Sequence, residues 1–336
     1  PADKLSILIV DDGSTDDTHA VAKTFESDRV RVIHQKNQGK YTALNLGIMS
    51  SKAEFIGCLD ADSTVHPDAL RKMLAYFKTD NIMSVTPALH VYKPSNILQL
   101  MQRVEYNVGI FAKRIFGKMN AIHVTPGPFS IFRRSVFETI GLFKHAHNTE
   151  DMEIAFRIQM HGYRIANCPT AEVYTITPRT VKKLYRQRTR WIYGFIQNCI
   201  DYRRLFLNKK YGNIGTFTLP FAAVGIVTTV LLFLIGIYHF ITFISEKIRE
   251  ISLIGFHFHM PTPSWFFINT ELVVVLGVLV LGIGFVIMLL GRQAAEGTMK
   301  PSLDMAYFIV GYTIIAPFWL SKAVFNTVLS RKTPWR

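Results

Sequence analysis

Cysteine is scarce. Cys58, Cys168 and Cys199 are the only thiols in 336 residues, and no pair has CxxC spacing. The odd number and the spacing exclude a disulfide framework and a cysteine zinc site, and leave reduced thiols in a cytosolic domain. Acidic residues are few, 24 against 38 Lys and Arg, for a net charge of +14. The sequence has no internal repeat and no low-complexity tract, which excludes a solenoid and a linker-dominated chain. No signal peptide is visible and the chain opens on Pro1 instead of Met, so the expectation is a piece of a longer protein.

Apolar residues, by contrast, are abundant. They make 49% of the chain against 18% charged, with a mean hydropathy of +0.20. Phe217 to Ile244 and Leu272 to Gly291 carry no Asp, Glu, Lys or Arg, and Met305 to Ser321 is a shorter third run interrupted by Pro317. Runs of about 20 residues match the hydrocarbon core of a bilayer at helical rise, and a buried core helix is the weaker reading at that length. Ten Lys or Arg and one acid, Asp201, stand between Arg179 and Asn213, a net of +9 directly before the first run. Such a flank predicts a cytoplasmic domain before the membrane and attraction to anionic lipid head groups. Charge clustered at a membrane boundary also argues against nucleic acid as a partner. Three spans put the C-terminus outside, against the inside preference of Arg331, Lys332 and Arg336; a bend at Pro317 would resolve the conflict.

Before the membrane region, apolar runs alternate with helical patterns. Leu5 to Val10, Val30 to His34, Phe55 to Leu59 and Ile82 to Val91 read as strands. Thr15 to Glu26, capped by Ser14 or Thr15, Tyr41 to Met49, and Pro67 to Phe77 read as helices. This order predicts an α/β domain with a largely parallel sheet, whose ligands collect at the carboxyl ends of strands. Ser95 to Phe116 is a long helical pattern that suits either the membrane surface or a core. Arg179 to Asn198 is a basic helix leading towards the bilayer.

The acidic residues sit at those strand ends. Asp60 and Asp62 of "LDADS" repel one another unless they form a solvated turn or share a divalent cation. Asp12 in "VDDGSTDDT" suits a ribose or base, or else a helix start, the reading that covers Asp16 and Asp17. Lys40, after Gly39 at a helix start, suits a phosphate or plain solvent. Glu150 and Asp151 in "NTED" are capping groups or a general base. In "YRQRTRWIYGF", Gln187, Arg188, Arg190 and Trp191 share one or two turns: forked donors for phosphate and a flat face for a sugar, or a basic helix with an interfacial Trp. Taken together they provide for a diphosphate, a metal, a base and a sugar platform in one domain that feeds a membrane segment.

"DDGSTDDT", "DADS", "TED" and "QRTRW", in that order, resemble the membrane-integrated family 2 glycosyltransferases, which include hyaluronan, chitin, cellulose and poly-N-acetylglucosamine synthases. The resemblance covers roughly residues 5 to 200 and continues in the C-terminal spans. It implies a GT-A fold (Rossmann-like α/β) over residues 1–198, lacking the family's first strand, then a basic interfacial segment at 199–216 and about three transmembrane helices within 217–330. It implies inverting transfer from a UDP-sugar to a polysaccharide or oligosaccharide acceptor, in the inner (cell) membrane, with the catalytic domain cytoplasmic. By the same resemblance Asp12, Lys40, Asp60, Gln187, Arg188 and Arg190 bind the nucleotide, Asp62 holds Mg²⁺ or Mn²⁺, Asp151 is the catalytic base, and Gly127 and Trp191 line the acceptor site. Two other functions stay open on sequence: a non-processive transferase acting on a lipid acceptor, and a non-enzymatic membrane transporter or scaffold, which needs none of these carboxylates.

Overall fold

The structure is a computed structural model that describes residues 4–255 and 272–330. β1 (Ile7–Asp12) and β2 (Val30–Gln35) pair in parallel, with Ile7 opposite Val30 and Asp12 opposite Gln35, across the helix α1 (Thr18–Lys23). That helix is half the expected length, because the acidic turn consumes its start. The Ser14 N–H donates to Asp11 Oδ1 at 3.0 Å and the Thr18 N–H to Asp16 Oδ1 at 3.1 Å, so neither Ser14 nor Thr15 caps it. α2 (Lys40–Met49) begins where Gly39 adopts φ +96°, a conformation that favours glycine.

β3 (Phe55–Cys58) ends two residues before Asp60, and β4 (Ser63–Val65) starts directly after Asp62. α3 (Ala69–Leu74) is shorter than Pro67 to Phe77, whose ends are turns. β5 (Ile82–Val91) has the expected bounds and is buried over its first seven residues. α4 (Ile97–Lys118), β6 (Ser130–Arg133), α5 (Ser135–Ile140), α6 (Glu150–Met160), β7 (Arg164–Thr175) and α7 (Val181–Asp201) complete the domain.

The five-stranded sheet has the order β3-β6-β5-β7-β4, and of its pairings only β5–β7 is parallel. The expected largely parallel sheet is therefore corrected to a mixed one. Alternating strand and helix does give parallel pairing for β1 and β2. β6, however, enters after α4 and a connecting loop, and runs antiparallel between β3 and β5. Strand direction is a property of distant partners, which local pattern does not carry. The core beneath the sheet holds Phe132, Ile154, Ile158 and Ile165, all 2% exposed or less, against Phe137 and Phe143. Truncating a buried Phe such as Phe132 to Ala costs about 3–5 kcal/mol, so this layer fixes where α6 starts.

Three long apolar helices follow: α8 (Leu219–Ile254), α9 (Leu272–Glu296) and α10 (Leu303–Val328). All three are long and apolar enough to cross a membrane. α8 has 36 residues, roughly 54 Å at helical rise. That exceeds a bilayer core of about 30 Å, and its end carries Glu246, Lys247, Arg249 and Glu250. α10 runs continuously through Pro317. Arg331, Lys332 and Arg336, on which the side of the C-terminus turned, lie outside the described residues. α4 touches β5 and β7 as well as α9 and α10, so both readings of that segment meet in one helix. Its buried polar residues are partnered: Gln99 Nε2 donates to Thr177 O at 2.9 Å, Gln102 Nε2 to Pro178 O at 2.8 Å, and Asn107 Nδ2 to Glu296 Oε1 at 2.8 Å.

Candidate active site

Asp12 ends β1 and fastens the loop that delivers Lys40. Its carboxylate accepts Gln35 Nε2 at 2.6 Å, the Gln38 N–H at 3.0 Å and the Gly39 N–H at 2.9 Å. Three donors occupy most of the four lone-pair positions of a carboxylate. Asp12 thus anchors this loop.

Lys40, thrown forward from the start of α2, lies with its Nζ 2.6 Å from Asp60 Oδ1 and 3.3 Å from Glu150 Oε1. Gly127 closes over this pair. A Cβ at Gly127 would stand 2.6 Å from both Asp60 Oδ2 and Lys40 Nζ, so a side chain there displaces the ion pair. Leu44, Cys58, Phe132 and Phe143 give the cleft apolar walls. Apolar walls lower the local dielectric and so strengthen the charges between them.

Glu150 and Asp151 form the first turn of α6, and Glu150 is buried. Thr125 donates its N–H and its Oγ1 to the Asp151 carbonyl, at 3.1 and 2.9 Å, which ties the loop holding Gly127 to the helix start. Desolvation, then the negative charge of Glu150, pushes Asp151 up to about 7, with Asp60 adding and Lys40 and Arg190 opposing. Lys40 shows the converse balance. Burial works against its charge, but Glu150, Asp60 and Asp151 outweigh it and raise the amine above its ordinary range. Burial lowers Arg190, and the same three carboxylates oppose that. The cleft therefore pairs two cations with a carboxyl group poised near neutrality.

α7 supplies two faces. Arg190, Gly194 and Asn198 are spaced four residues apart and lie on one stripe. Arg190 Nη1 donates to Asn148 O at 3.1 Å and Asn198 Nδ2 to Thr149 Oγ1 at 2.9 Å, while Gly194 leaves room for the Thr149 side chain. This stripe holds the residues immediately before Glu150. On the other face Arg188 is buried, with Nη2 2.6 Å from Glu105 Oε2, and its guanidinium lies 4.2 Å from the centre of the Trp191 ring. Tyr312 of α10 donates its hydroxyl to the same Glu105 oxygen at 2.6 Å, and Gln187 Oε1 accepts from Arg188 at 3.1 Å.

Asp62 is exposed, with Oδ1 accepting from Ser63 Oγ at 3.2 Å. Its charge is felt at Tyr106 of α4: burial raises that phenol, Arg188 opposes, and Glu105 and Asp62 add. Asp60 and Asp62 together offer oxygen donors only, a set that fits Mg²⁺ or Mn²⁺.

The structure thus lines one cleft with Lys40, Asp60, Gly127, Glu150 and Asp151, couples Arg190 to its carboxylates, uses Asp12 to hold the loop before Lys40, and sets Arg188, in contact with Gln187 and Trp191, on Glu105 of α4. Sequence reasoning missed Glu105, Thr125, Asn198 and Tyr312. A signal existed for one of these: Asn198 falls on the four-residue spacing of Arg190 and Gly194.

Residues 2–194 match the profile of a family described as "Glycosyltransferase like family 2". The poly-beta-1,6-N-acetyl-D-glucosamine synthase of Staphylococcus aureus (strain COL) is 34% identical over 197 residues, covering 57% of this chain and 48% of that protein. The synthase of the same name from Staphylococcus epidermidis is 32% identical over 193 residues, covering 56% of this chain and 47% of its own length. This chain spans about half the length of these curated relatives. Among solved structures, the mannosyltransferase PcManGT from Pyrobaculum calidifontis, in complex with GDP-Man and Mn²⁺, superposes with a TM-score of 0.59 at 17% identity, over 98% of this chain and 80% of that one. At that identity the likeness is one of fold.

Proposed function

From the premise that this chain belongs to glycosyltransferase family 2, with a GT-A fold followed by three helices able to cross a membrane, we propose that it transfers a sugar from a UDP-sugar, with inversion, to a growing β-linked polysaccharide. The observation that carries this reading is Asp151 at the head of α6, raised towards neutrality beside the Lys40–Asp60 pair and beneath Gly127. The names of the relatives direct the choice of sugar to N-acetylglucosamine.

In this mechanism the acceptor hydroxyl lies within reach of Asp151, which takes its proton as the acceptor oxygen forms its bond to the anomeric carbon. The bond from that carbon to the diphosphate breaks, and its electron pair leaves with UDP. Lys40 and Arg190 hold the negative charge that develops there. Asp60 and Asp62 would hold Mg²⁺ or Mn²⁺, which supplies further neutralisation of the diphosphate. Asp12 positions the Gly39–Lys40 turn. Gly127 leaves the acceptor an approach that a side chain would block, and Trp191 floors the acceptor path. The catalytic domain faces the cytoplasm, where the basic stretch before α8 meets anionic lipid, and the chain of sugars is exported through the membrane region.

The test is incubation of the full-length protein, in membranes, with labelled UDP-N-acetylglucosamine and other UDP-sugars in the presence of Mg²⁺ or Mn²⁺. The expected result is a metal-dependent polymer, with turnover in Asp151→Asn lowered about 10²-fold or more and UDP affinity near normal. A single sugar added to lipid points to the lipid-acceptor transferase. No release of UDP from any donor overturns the reading.

A further inference from the structure

Outside the cleft, three side chains from three elements converge behind β1. Asp11 is the β1 residue in register with His34 on β2, and His19 comes from α1. His34 Nδ1 lies 2.8 Å and His19 Nδ1 3.2 Å from the same oxygen, Asp11 Oδ2. All three ligand atoms lie within 4.8 Å of one another. The two imidazole rings meet edge to face with centroids 4.8 Å apart.

A hydrogen-bonded cluster accounts for only part of this. The His34 nitrogen is within hydrogen-bond distance of the carboxylate. The His19 nitrogen itself is covered, on a side chain that is 37% exposed, and it lies 3.2 Å from the same oxygen without the geometry of a hydrogen bond. A buried polar atom left in that state is costly. The Asp11 side chain is 1% exposed and is oriented from its other oxygen by the Ser14 N–H at 3.0 Å. Carboxylates held in this way from behind are a feature of metal sites, where outer hydrogen bonds fix the ligand. His34 remains half exposed, so the cluster has an entry path from solvent and room for water as a further ligand.

We propose that Asp11, His19 and His34 form a second metal site, selective for a zinc-class divalent cation and separate from the Asp60–Asp62 pair. Two imidazole nitrogens and one carboxylate are a borderline donor set that suits Zn²⁺, whereas the all-oxygen set of the cleft suits Mg²⁺ or Mn²⁺. Zinc bonds of about 2.0–2.2 Å in a tetrahedral arrangement place neighbouring ligand atoms about 3.4 Å apart. The two separations from Asp11, 2.8 and 3.2 Å, lie just below that value, and all three atoms lie within 4.8 Å of one another, so small side-chain rotations suffice. The site ties α1 and β2 to β1 one residue before Asp12, the anchor of the Lys40 loop.

The test uses the untagged full chain in detergent, stripped with a chelator and titrated with Zn²⁺ by calorimetry, with Co²⁺ absorption as an optical readout. One equivalent is expected to bind wild type and Asp62→Asn alike. His34→Ala, whose ring is half exposed and carries little of the fold, and His19→Gln are each expected to weaken binding by about 100-fold or more, since even outer-shell losses cost 10- to 100-fold. Failure of wild type to bind Zn²⁺, or retention of full affinity by either histidine variant, overturns the proposal. Zinc affinity is read without turnover, so it stands or falls apart from the transferase reading.

Discussion

Arg188 and Arg190 are separated by one residue on α7, and the helix turns them roughly 200° apart. Arg190 reaches the loop before α6 and is electrostatically coupled to Asp151, Glu150 and Asp60. Arg188 is enclosed with Glu105 of α4, Tyr312 of α10 and the ring of Trp191. The same residue type, within one motif, therefore faces the carboxylates around Asp151 on one side of the helix and packs against α4 and α10 on the other. The side against α4 and α10 belongs to a longer polar seam between the catalytic domain and the membrane helices. Arg103 of α4 contacts Asp304 of α10 at 2.7 Å, and Asn107 of α4 reaches Glu296 of α9.

This difference can be broken most sharply at Arg190. Arg190→Ala is expected to lower turnover by about 10²- to 10³-fold, the range for losing one preorganised donor to developing charge, with the thermal midpoint close to wild type. Equal losses of turnover in Arg188→Ala and Arg190→Ala would erase the distinction between the faces.

Trp191 comes next. One side of its indole is covered by Arg188, so a sugar platform would have to be the other. Trp191→Ala is expected to slow elongation by about 10- to 100-fold while hydrolysis of the UDP-sugar suffers less, because water needs no platform. If both rates fall in the same ratio, Trp191 is an interfacial anchor only.

Arg188→Ala is expected to act on stability. Losing a charge-assisted hydrogen bond and its packing costs about 1–3 kcal/mol, seen as a drop of several degrees in the thermal midpoint in detergent. Glu105→Gln alone should cost part of this, and the double variant less than the sum of the two. Strict additivity would show that the two side chains do not support one another.

The elements legible in the sequence are those that neighbours along the chain decide. β5 was readable as an apolar-rich segment despite Ser84, Thr86 and His90, α2 by its helical spacing, and the three spans by length without charge. Lys40, Asp60 and Asp151 were readable as candidates because each sits at a strand end or helix start. Long-range pairing was not readable. The direction of β6 depends on partners distant in sequence. The opposite fates of Arg188 and Arg190 depend on which helices pack against α7. His19 and His34 are 15 residues apart and meet only because β1 and β2 pair in parallel with His34 opposite Asp11. The shortened α1 failed for a different reason: side chains in the acidic turn competed for the backbone N–H groups that begin a helix.

The smallest expected effect is a shift in a pH profile, and it asks whether the cleft face owes its chemistry to burial or to neighbouring charge. Asp151 accepts a proton only when ionised, so kcat/KM should rise with pH through about 7. Glu150→Gln removes one of the two main causes of that value and leaves desolvation, the larger. The rising limb should therefore move to lower pH by about one unit, the lower end of the effect of a close like charge, without returning to the ordinary carboxylate range. Stability should run the other way. A carboxyl raised in the folded state contributes stability that is complete below its unfolded value and is lost as pH rises through about 7. Wild type should thus gain activity and lose thermal stability over the same interval, and Asp151→Asn should lose both dependences together. A limb that stays in place in Glu150→Gln would remove Glu150 as a cause of the raised value, and a profile flat between about pH 5.5 and 8.5 would remove Asp151 as the base.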